Sequence, residues 1–587
     1  LLLCEGSIDR NRSQRRQRPL VRIAAADSLT DDEHLIMDMR TFRKLTLAAT
    51  LTVVVTALFT GCCGDDSKIK PTKNVILMIP DGTSSTMLPV VRWYKEYKNP
   101  QNGAARLATD PYLCGYVRPA CSDAPIAASP AAITSLMTGY RVQNSNLSVY
   151  PAKNEGQDVY EVNADSTWQP LATVLEAAKI LGHKSTGLVV TVKVSHATPA
   201  GTASHVVART EDANIMRQIA SNGVDVVFGG GIKYMDDDVK SILEDKGIKY
   251  QEKDMAGFRA LDSAPVWSMF AKSAMAYDID RDTLAEPSLA EMTTKAIELL
   301  SKNKNGFFLM VEGSKVDFAA HSNDPLGTIS EYEAFDKAVA AAIDFAKKDG
   351  NTTVIVVPDH GTAGMTIGDR NYSGYYKKGL DSVFVMLPHY KGTGDALNKK
   401  LEKCKPEEVK AIFLENTGID LNEKELKAIL AVRGFVEDDY MKVQFSDNLK
   451  SVVMDILNAH THIGYSNGSH TSEDVYLAVY NPNNQRPTGF LESTEMAGYM
   501  FDLLGVPGSL KELTSNIYVK SDVLLAGHEC VVEPGKEPVL VVDGKVRVPA
   551  NRSYVEKDGK KIQLSSVSVY VPKNKTFYIS KEVLGLL

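Results

Sequence analysis

The chain has 587 residues, of which 44% are hydrophobic and 24% charged, a composition typical of a globular protein rather than a disordered or fibrous one. Its net charge of −7 at pH 7 gives no reason to expect a nucleic-acid-binding surface. The seven cysteines are too few for a disulfide scaffold. Cys114 and Cys121 could close a small loop in an oxidising compartment, and Cys404 and Cys530 could be free or paired.

The first 72 residues have the anatomy of an exported protein. Residues 1–38 are polar and rich in Arg, and we interpret them as translated upstream sequence or a disordered leader. Residues 39–61 combine a positive start with an apolar run too short to span a membrane, which predicts a lipoprotein-type signal peptide. Cys62 follows a lipobox-like segment and would carry the lipid, with residues 62–72 as a tether; an ordinary cleaved signal peptide is the alternative. We expect a periplasmic or cell-surface protein that meets the membrane only through this lipid.

Apolar runs alternate with helical patterns from residue 73 onward. Continuous apolar runs predict strands buried on both faces, at residues 74–79, 187–192, 224–228, 307–311, 353–357, 382–387 and 475–479. Helices are predicted between them, for example at residues 170–181, 289–300 and 332–348. This alternation predicts an α/β fold, a three-layer sandwich with a large, mostly parallel central sheet.

Two further regions differ in character from this alternating pattern. Within a main domain predicted at residues 73–510, the stretch of about 390–460 is rich in Lys and Glu and reads as a helical insertion, with helices at 407–417, 422–430 and 447–457. Residues 511–587 are predicted to form a small β appendage, with strands near 539–548 and 561–571 and turns at Asp543-Gly544 and Asp558-Gly559.

Side chains that bind metals follow several of the predicted strands. Asp81 follows the first strand, Glu312 ends another, and Asp359 and His360 follow a third. The carboxyl ends of strands in open α/β sheets are where ligands bind, so these side chains are expected at one edge of the sheet. Such residues in isolation are more often turn or cap residues.

Other segments add ligands to this set. Asp317 and His321 are four residues apart, so they can share a helical face and suit one Zn²⁺, although an isolated pair is usually a surface ion pair. His196, Thr198 and His470 complete an inventory that is too rich for one ion and fits a cluster of two or three, as enzymes that cleave phosphate esters require.

Two residues suggest chemistry beyond metal binding. Ser129-Pro130 opens a predicted helix, where a serine is usually a cap, but a helix N-terminus also stabilises an anion, so Ser129 could be a nucleophile. Arg209 is placed on a predicted helix and could bind phosphate bidentately, although a solvated Arg is the ordinary explanation.

The order and spacing of these motifs resemble those of the alkaline phosphatase family over roughly residues 73–510. The matching segments are residues 74–82, Ser129 with Thr138-Gly139, residues 195–200 continuing to His205 and Arg209, residues 225–231, and residues 311–317 with His321. Several motifs in the correct order are much stronger evidence than any one of them.

The resemblance implies a function and a role for each residue. It implies a phosphomonoesterase for small phosphate monoesters, with a phosphoserine intermediate on Ser129 and Arg209 as the phosphate clamp. Two Zn²⁺ and one Mg²⁺ are the implied cofactors. One Zn²⁺ would be held by Asp317, His321 and His470; the other by Asp81, Asp359 and His360, with Ser129; and Mg²⁺ by Asp81, Thr198 and Glu312, with His196 in or beside that shell. Relatives are commonly homodimers, an assembly that the insertion could block or build.

Two positions depart from the family pattern. Ala128 stands where the family often has an Asp that braces the Arg, and Phe318 stands where some members have Lys or His. We expect both changes to weaken phosphate binding and speed product release. The alternatives are a phosphodiesterase or sulfatase of the same superfamily, and a lipoprotein that binds phosphate or metal without turnover. The segment after Ser129 lacks the Cys/Ser-x-Pro-x-Arg pattern of sulfatases, and Glu312 is a carboxylate that diesterases tend to lack.

Overall fold

The structure of this chain is a computed structural model that describes residues 69–370, 372–432 and 448–587. The predicted leader, the predicted signal peptide and Cys62, the predicted site of the lipid, lie outside the described residues. Within the described ranges, no helix combines the length and the apolarity needed to cross a membrane.

A ten-stranded sheet forms the centre of the molecule. In chain order, the strands before residue 500 are β1 (Asn74–Ile79), β2 (Leu113–Arg118), β3 (Ser185–Lys193), β4 (Val226–Gly230), β5 (Lys249–Glu252), β6 (Val266–Ala271), β7 (Phe307–Glu312), β8 (Thr352–Val356), β9 (Gly361–Thr362), β10 (Thr366–Ile367), β11 (Ile463–Gly464), β12 (His470–Thr471), β13 (Val475–Tyr480) and β14 (Gly489–Glu492). Ten of these strands form the central sheet, in the order β14-β2-β13-β8-β1-β7-β3-β4-β6-β5. Only β13 runs antiparallel to its neighbours in this sheet, so the predicted mostly parallel sheet is confirmed.

Helices cover both faces of the sheet. They are α1 (Met87–Lys98), α2 (Ser129–Thr138), α3 (Val174–Ile180), α4 (Ala197–Ala203), α5 (Asp212–Ser221), α6 (Asp237–Asp245), α7 (Met255–Arg259), α8 (Leu289–Leu300), α9 (Lys315–His321), α10 (Pro325–Asp349), α11 (Asp381–Phe384), α12 (Gly394–Lys403), α13 (Val409–Thr417), α14 (Glu423–Val432), α15 (Leu449–Thr461), α16 (Glu495–Leu504), α17 (Leu510–Ile517) and α18 (Ser521–Leu524). Along β1, Ile76 and Met78 enter one buried core, whereas Val75, Leu77 and Ile79 enter the other. A strand with both faces buried gives the continuous apolar run seen in the sequence, and the three-layer architecture is confirmed.

The strand predicted at residues 382–387 is wrong. This segment begins with the helical turn α11, and a 3₁₀ turn follows at Leu387–His389. Val383, Phe384 and Leu387 are buried while Val385 is exposed, which is a helical rather than an alternating pattern. The ring of Phe384 packs against Tyr94 of α1, with ring centroids 5.6 Å apart. A short apolar run cannot by itself distinguish a strand from a buried helical turn.

The helical insertion is confirmed as helices α12 to α15, and the strands predicted after residue 511 are confirmed as part of a second sheet. This antiparallel sheet has seven strands: β15 (Val519–Lys520), β16 (Cys530–Glu533), β17 (Val539–Val542), β18 (Val546–Pro549), β19 (Arg552–Lys557), β20 (Lys560–Val571) and β21 (Thr576–Ile579). Val567 and Val569 pack into a core of the main body. The exact boundary at residues 510–511 stays a prediction.

Polar contacts also join the two parts. The buried hydroxyl of Tyr518 donates to Glu176 Oε1 at 2.6 Å and lies 2.7 Å from His205 Nε2. Tyr518 of the C-terminal region thereby holds His205, which belongs to one of the motifs that resemble the family, in place. Cys114 and Cys121 carry free thiols rather than a disulfide.

Candidate active site

Three neighbouring strands deliver carboxylates to one edge of the sheet. Ile79 of β1 pairs with Glu312 of β7, and Met78 pairs with Val356 of β8. Asp81 and Asp359 therefore lie just beyond the ends of adjacent parallel strands, beside Glu312. Asp81 and Glu312 are 0% exposed, and Asp359 is 2% exposed. Burying three carboxylates together is very costly unless cations compensate their charge.

Gly82 allows this close approach. Its backbone has φ +67°, a left-handed conformation that favours glycine. Its N–H donates to Asp359 Oδ1 at 3.0 Å, and a Cβ at this position would lie 2.4 Å from Asp317 Oδ1. The turn after β1 is therefore wedged between two carboxylates of the site.

Asp317, His321 and His470 form the first group of ligand atoms. Helix α9 places Asp317 and His321 on one face, as predicted, and β12 brings His470 in through its pairing with Thr362 of β9. The Nδ1 atoms of His321 and His470 lie 2.9 and 3.1 Å from the carbonyl oxygens of Gly468 and Ala127. These contacts assign the N–H to Nδ1 in both rings. The two Nε2 lone pairs then face each other at 3.0 Å, a repulsive contact that a cation between them would relieve.

His360 organises the second group. Its Nε2 lies 3.2 Å from Asp359 Oδ2 and 3.7 Å from Asp81 Oδ1. Asp81, Asp317 and His360 also place ligand atoms within 4.8 Å of one another, so Asp317 faces two of the groups. Sequence reasoning assigned Asp317 to one group only.

Ser129 lies against this second group. It is the first residue of α2, and the N-cap residue is Ala128, so the capping explanation for Ser129 is wrong. The Ser129 hydroxyl lies 3.2 Å from His360 Nε2. Because His360 Nδ1 faces the carbonyl of Gly361 at 3.3 Å, Nε2 is assigned as the acceptor and Ser129 as the donor.

The third group combines Asp81, His196 and Glu312. Thr198, in the first turn of α4, is fully buried. Several of these polar atoms have no hydrogen-bond partner among the described residues: both carboxylate oxygens of Asp81 and Glu312, Asp359 Oδ2, Thr198 Oγ1 and His196 Nδ1. Orphaned buried polar atoms of this kind call for an ion or water. Carboxylate and hydroxyl oxygens fit Mg²⁺, whereas the two groups with Nε2 donors fit Zn²⁺.

Arg209 lies in a turn before α5, so its predicted helical position is wrong. Its Nη2 donates to His196 Nε2 at 3.1 Å. The guanidinium is thus placed beside the third group of ligands. Phe318 packs edge-on against the His196 ring, with centroids 5.7 Å apart.

Burial sets the protonation of the site. It raises the pKa of Glu312 to about 7 and that of Asp359 to about 6, and raises the pKa of Asp81 well above its usual range, with neighbouring carboxylates adding to the effect. Burial lowers the pKa of His360 to about 4 and that of His470 to about 3. The imidazoles of His360 and His470 are therefore neutral ligands at neutral pH, and Glu312 is partly protonated there, so a cation that binds it would displace a proton.

Sequence reasoning missed two supporting residues. The Thr362 hydroxyl donates to Asp317 Oδ1 at 2.8 Å, and Asn144 Oδ1 accepts from the N–H of Ala128 at 2.6 Å, beside Ser129. Neither residue belongs to a motif. Asn144 reaches the site from a turn and Thr362 from the short strand β9, and the fold fixes the position of both.

Comparisons with known proteins show the family to which the chain belongs. The family model described as alkaline phosphatase matches residues 72–506. Alkaline phosphatase 4 of Bacillus subtilis (strain 168) is 32% identical over 450 residues, which cover 74% of this chain and 88% of that protein. Alkaline phosphatase 3 of the same organism is 32% identical, with 74% and 89% covered. The crystal structure of a cold-active alkaline phosphatase from the psychrophile Shewanella sp. superposes with a TM-score of 0.63 at 26% identity, with 74% of this chain and all of that chain (100%) covered. The chain therefore belongs to the alkaline phosphatase family and is a phosphatase.

Proposed function

We propose that the chain hydrolyses phosphate monoesters to an alcohol and inorganic phosphate through a covalent phosphoserine on Ser129. The contact between the Ser129 hydroxyl and His360 Nε2, 3.2 Å long, carries this proposal. It supports the proposal because a serine hydroxyl, the group the proposal needs as nucleophile, then lies at the edge of the sheet where the ligand atoms converge. A protein that only bound phosphate would not need it.

The residues of the chain prepare Ser129 for attack. The hydroxyl lies at the N-terminus of a fully buried helix, where backbone N–H groups stabilise the developing alkoxide and the negative phosphate. Attack of Ser129 Oγ on phosphorus forms the phosphoserine and breaks the bond to the leaving alcohol. Water then attacks the same phosphorus, releasing phosphate and restoring the hydroxyl.

The cofactors proposed are two Zn²⁺ and one Mg²⁺. Asp317, His321 and His470 would hold one zinc; Asp81, Asp359 and His360 the other; Asp81, Thr198, Glu312 and His196 the magnesium. Bound there, divalent cations would lower the pKa of the serine and water nucleophiles and neutralise charge on the attacking and leaving oxygens.

Arg209 is proposed to hold the substrate phosphate. Its guanidinium now bonds to His196, so one Nη donor is occupied and the remaining donors are available to non-bridging phosphate oxygens. No carboxylate stands at position 128 to brace it, since that residue is Ala128. Weaker phosphate binding and faster product release follow.

The test is hydrolysis of an aryl phosphate monoester at alkaline pH by protein starting after Cys63. The protein is stripped with a chelator and then given Zn²⁺ and Mg²⁺, and the matching diester and sulfate are assayed alongside. We expect metal-restored monoester turnover that Ser129→Ala abolishes. Ser135→Ala is the matched control, because Ser135 lies on the same buried helix but bonds only to the carbonyl of Ala131.

Other outcomes would redirect the proposal. Preference for the diester or the sulfate would move the protein to a sister activity of the superfamily. Metal binding with no turnover of any ester would leave a phosphate- or metal-binding lipoprotein. Export, with a lipid on Cys62, is proposed from the sequence alone, and the mass of the mature N-terminus would test it.

A further inference from the structure

The turn between β18 and β19 of the C-terminal sheet packs against helix α5 of the main body. Asn551 lies in this turn, is 6% exposed and has φ +59°, a left-handed conformation that asparagine adopts more readily than most residues. Its N–H donates to the carbonyl of Ser568 in β20 at 2.8 Å, and its carbonyl accepts from the hydroxyl of Ser221 in α5 at 2.7 Å. The backbone of Asn551 is therefore fixed from both the sheet and the helix.

A carboxylate sets the orientation of the Asn551 side chain. Its Nδ2 donates to Asn214 Oδ1 at 3.2 Å and to Glu537 Oε2 at 3.3 Å. Glu537 is held in turn by Arg217 and Arg552, at 3.1 and 3.4 Å. Because an ionised carboxylate can only accept hydrogen bonds, it must face the NH₂ group of the amide. The amide oxygen of Asn551 is therefore directed at α5.

Gln218 of α5, which is 1% exposed, receives this oxygen. Its Nε2 donates to Asn551 Oδ1 at 2.8 Å and to the carbonyl of His205 at 3.1 Å, while its Oε1 accepts from the N–H of His205 at 2.6 Å. Turning the Gln218 amide over would set its oxygen against two other oxygens. Asn551 therefore stabilises the orientation in which Gln218 bonds the backbone of His205 twice.

The backbone that Gln218 holds leads directly to Arg209. Val206 exchanges two backbone hydrogen bonds with Leu147, 3.1 and 2.9 Å long, and the N–H of Arg209 donates to the carbonyl of Ser145 at 3.0 Å. Arg209 is only four residues beyond His205. The segment 205–209 is thus fixed along its length, with Gln218 as the support at its beginning.

The placement of the Arg209 guanidinium depends strongly on this backbone. Its Nη2 donates to His196 Nε2 at 3.1 Å. Within the part of the chain that the structure describes, no carboxylate pairs with the guanidinium, and position 128, where a brace could stand, is Ala128. A long side chain with few partners of its own is directed mainly by the backbone that carries it.

We propose that Asn551 is a positioning residue for phosphate binding, and that it acts through Gln218 and the backbone of His205 on Arg209. The C-terminal sheet then has a part in the reaction, because it supports the residue of the main body that holds the phosphate. The inference rests on the phosphate-binding role proposed above for Arg209.

The experiment measures the affinity for inorganic phosphate by calorimetry, on the metal-loaded protein starting after Cys63. Asn551→Gly removes the side-chain amide and keeps the left-handed backbone free of strain. We expect phosphate affinity to fall about threefold to tenfold, the size of one net intramolecular hydrogen bond. In an Arg209→Ala background the same substitution should change phosphate affinity less than about twofold, because its effect passes through Arg209.

Three further variants separate positioning from stability, with urea midpoints measured on all of them. Asn551→Asp keeps an acceptor for Gln218 and should keep phosphate affinity within about twofold, although it loses the NH₂ group that faces Glu537. Tyr518→Phe removes a buried donor from Glu176 but leaves the bonds of Gln218 intact, so phosphate affinity should not change. Asp558→Gly is the matched control, because Asp558 has φ +51° in an exposed turn of the same sheet.

Unchanged phosphate affinity in Asn551→Gly, or a loss of the same size in the Arg209→Ala background, would overturn the proposal. A loss of that size in Asn551→Asp or Tyr518→Phe would overturn it as well, since general destabilisation would then be the cause. Monoester turnover by the wild type reports the phosphomonoesterase function separately, so this function and the positioning role of Asn551 can fail independently.

Discussion

Replacing Gly82 by alanine tests whether the turn after β1 must lie against the ligand carboxylates. The new Cβ would lie 2.4 Å from Asp317 Oδ1 and 2.7 Å from Thr362 Oγ1, both closer than the 3.0 Å that real Cβ contacts respect. Asp317 must therefore shift by several tenths of an ångström, although it faces two groups of ligand atoms. The left-handed φ of +67° adds a strain of about 1–2 kcal/mol.

The two costs can be separated with a matched variant. Gly156 has φ +82° and has nothing within 4 Å of an added Cβ, so Gly156→Ala carries the strain without the collision. Both variants are expected to lose about 1–2 kcal/mol of unfolding free energy through this strain, measured in urea with chelator present. Only Gly82→Ala should lose more unfolding free energy than this. It alone should also lose zinc affinity and kcat/KM, each by about a hundredfold.

The assay measures unfolding, zinc affinity by competition with a chromophoric chelator, and monoester hydrolysis on all three proteins. Wild-type zinc affinity and turnover in Gly82→Ala would refute the reasoning, because the carboxylates could not then converge as described. An equal loss of activity in Gly156→Ala would show that backbone strain, and not displacement of Asp317, is responsible.

Three further predictions follow from the site and its supports. Because the pKa of Glu312 is raised to about 7, Mg²⁺ binding at the proposed magnesium site would displace its proton. Magnesium affinity should therefore rise about tenfold per pH unit up to that pKa and level off above it. Calorimetry that shows no pH dependence between pH 5.5 and 7 would contradict this. Ala128→Asp should supply the missing brace for Arg209, so phosphate should inhibit about tenfold more tightly in steady-state kinetics; unchanged product inhibition would count against it. Tyr518→Phe should cost about 1–2 kcal/mol of unfolding free energy, because Glu176 loses a buried donor, and should leave kcat unchanged; an unchanged urea midpoint would show that the contact does not stabilise the fold.

The parts of the fold that the sequence predicts are those whose local pattern has a single interpretation. The run at residues 74–79 is buried on both faces and forms β1, and α8 occupies its predicted residues because Ser288 and Glu291 form a capping box at its start. The segment at 382–387 failed because an apolar run of that length fits either a strand or a helical turn, and its packing on α1 decides.

Part of the candidate site could likewise be predicted from local sequence, and part of it could not. Its metal-type residues stand at strand ends or on one helical face, so their convergence follows from the parallel sheet. Thr362 reaches Asp317 only because β9 pairs with β12 across more than a hundred residues of chain, a contact that has no local signal. The double role of Asp317 likewise depends on the closeness of α9 to the turn at Gly82.

The most direct test of the central claim is to trap the intermediate. Metal-loaded protein is mixed with excess phosphate monoester, quenched in acid within one turnover, digested, and analysed by mass spectrometry. The account predicts one phosphate on Ser129 of the peptide that contains Ala128 and Pro130, and none in Ser129→Ala, which should also be inactive. Turnover by Ser129→Ala at the wild-type rate, with no phosphate on Ser129 in the wild type, would contradict it.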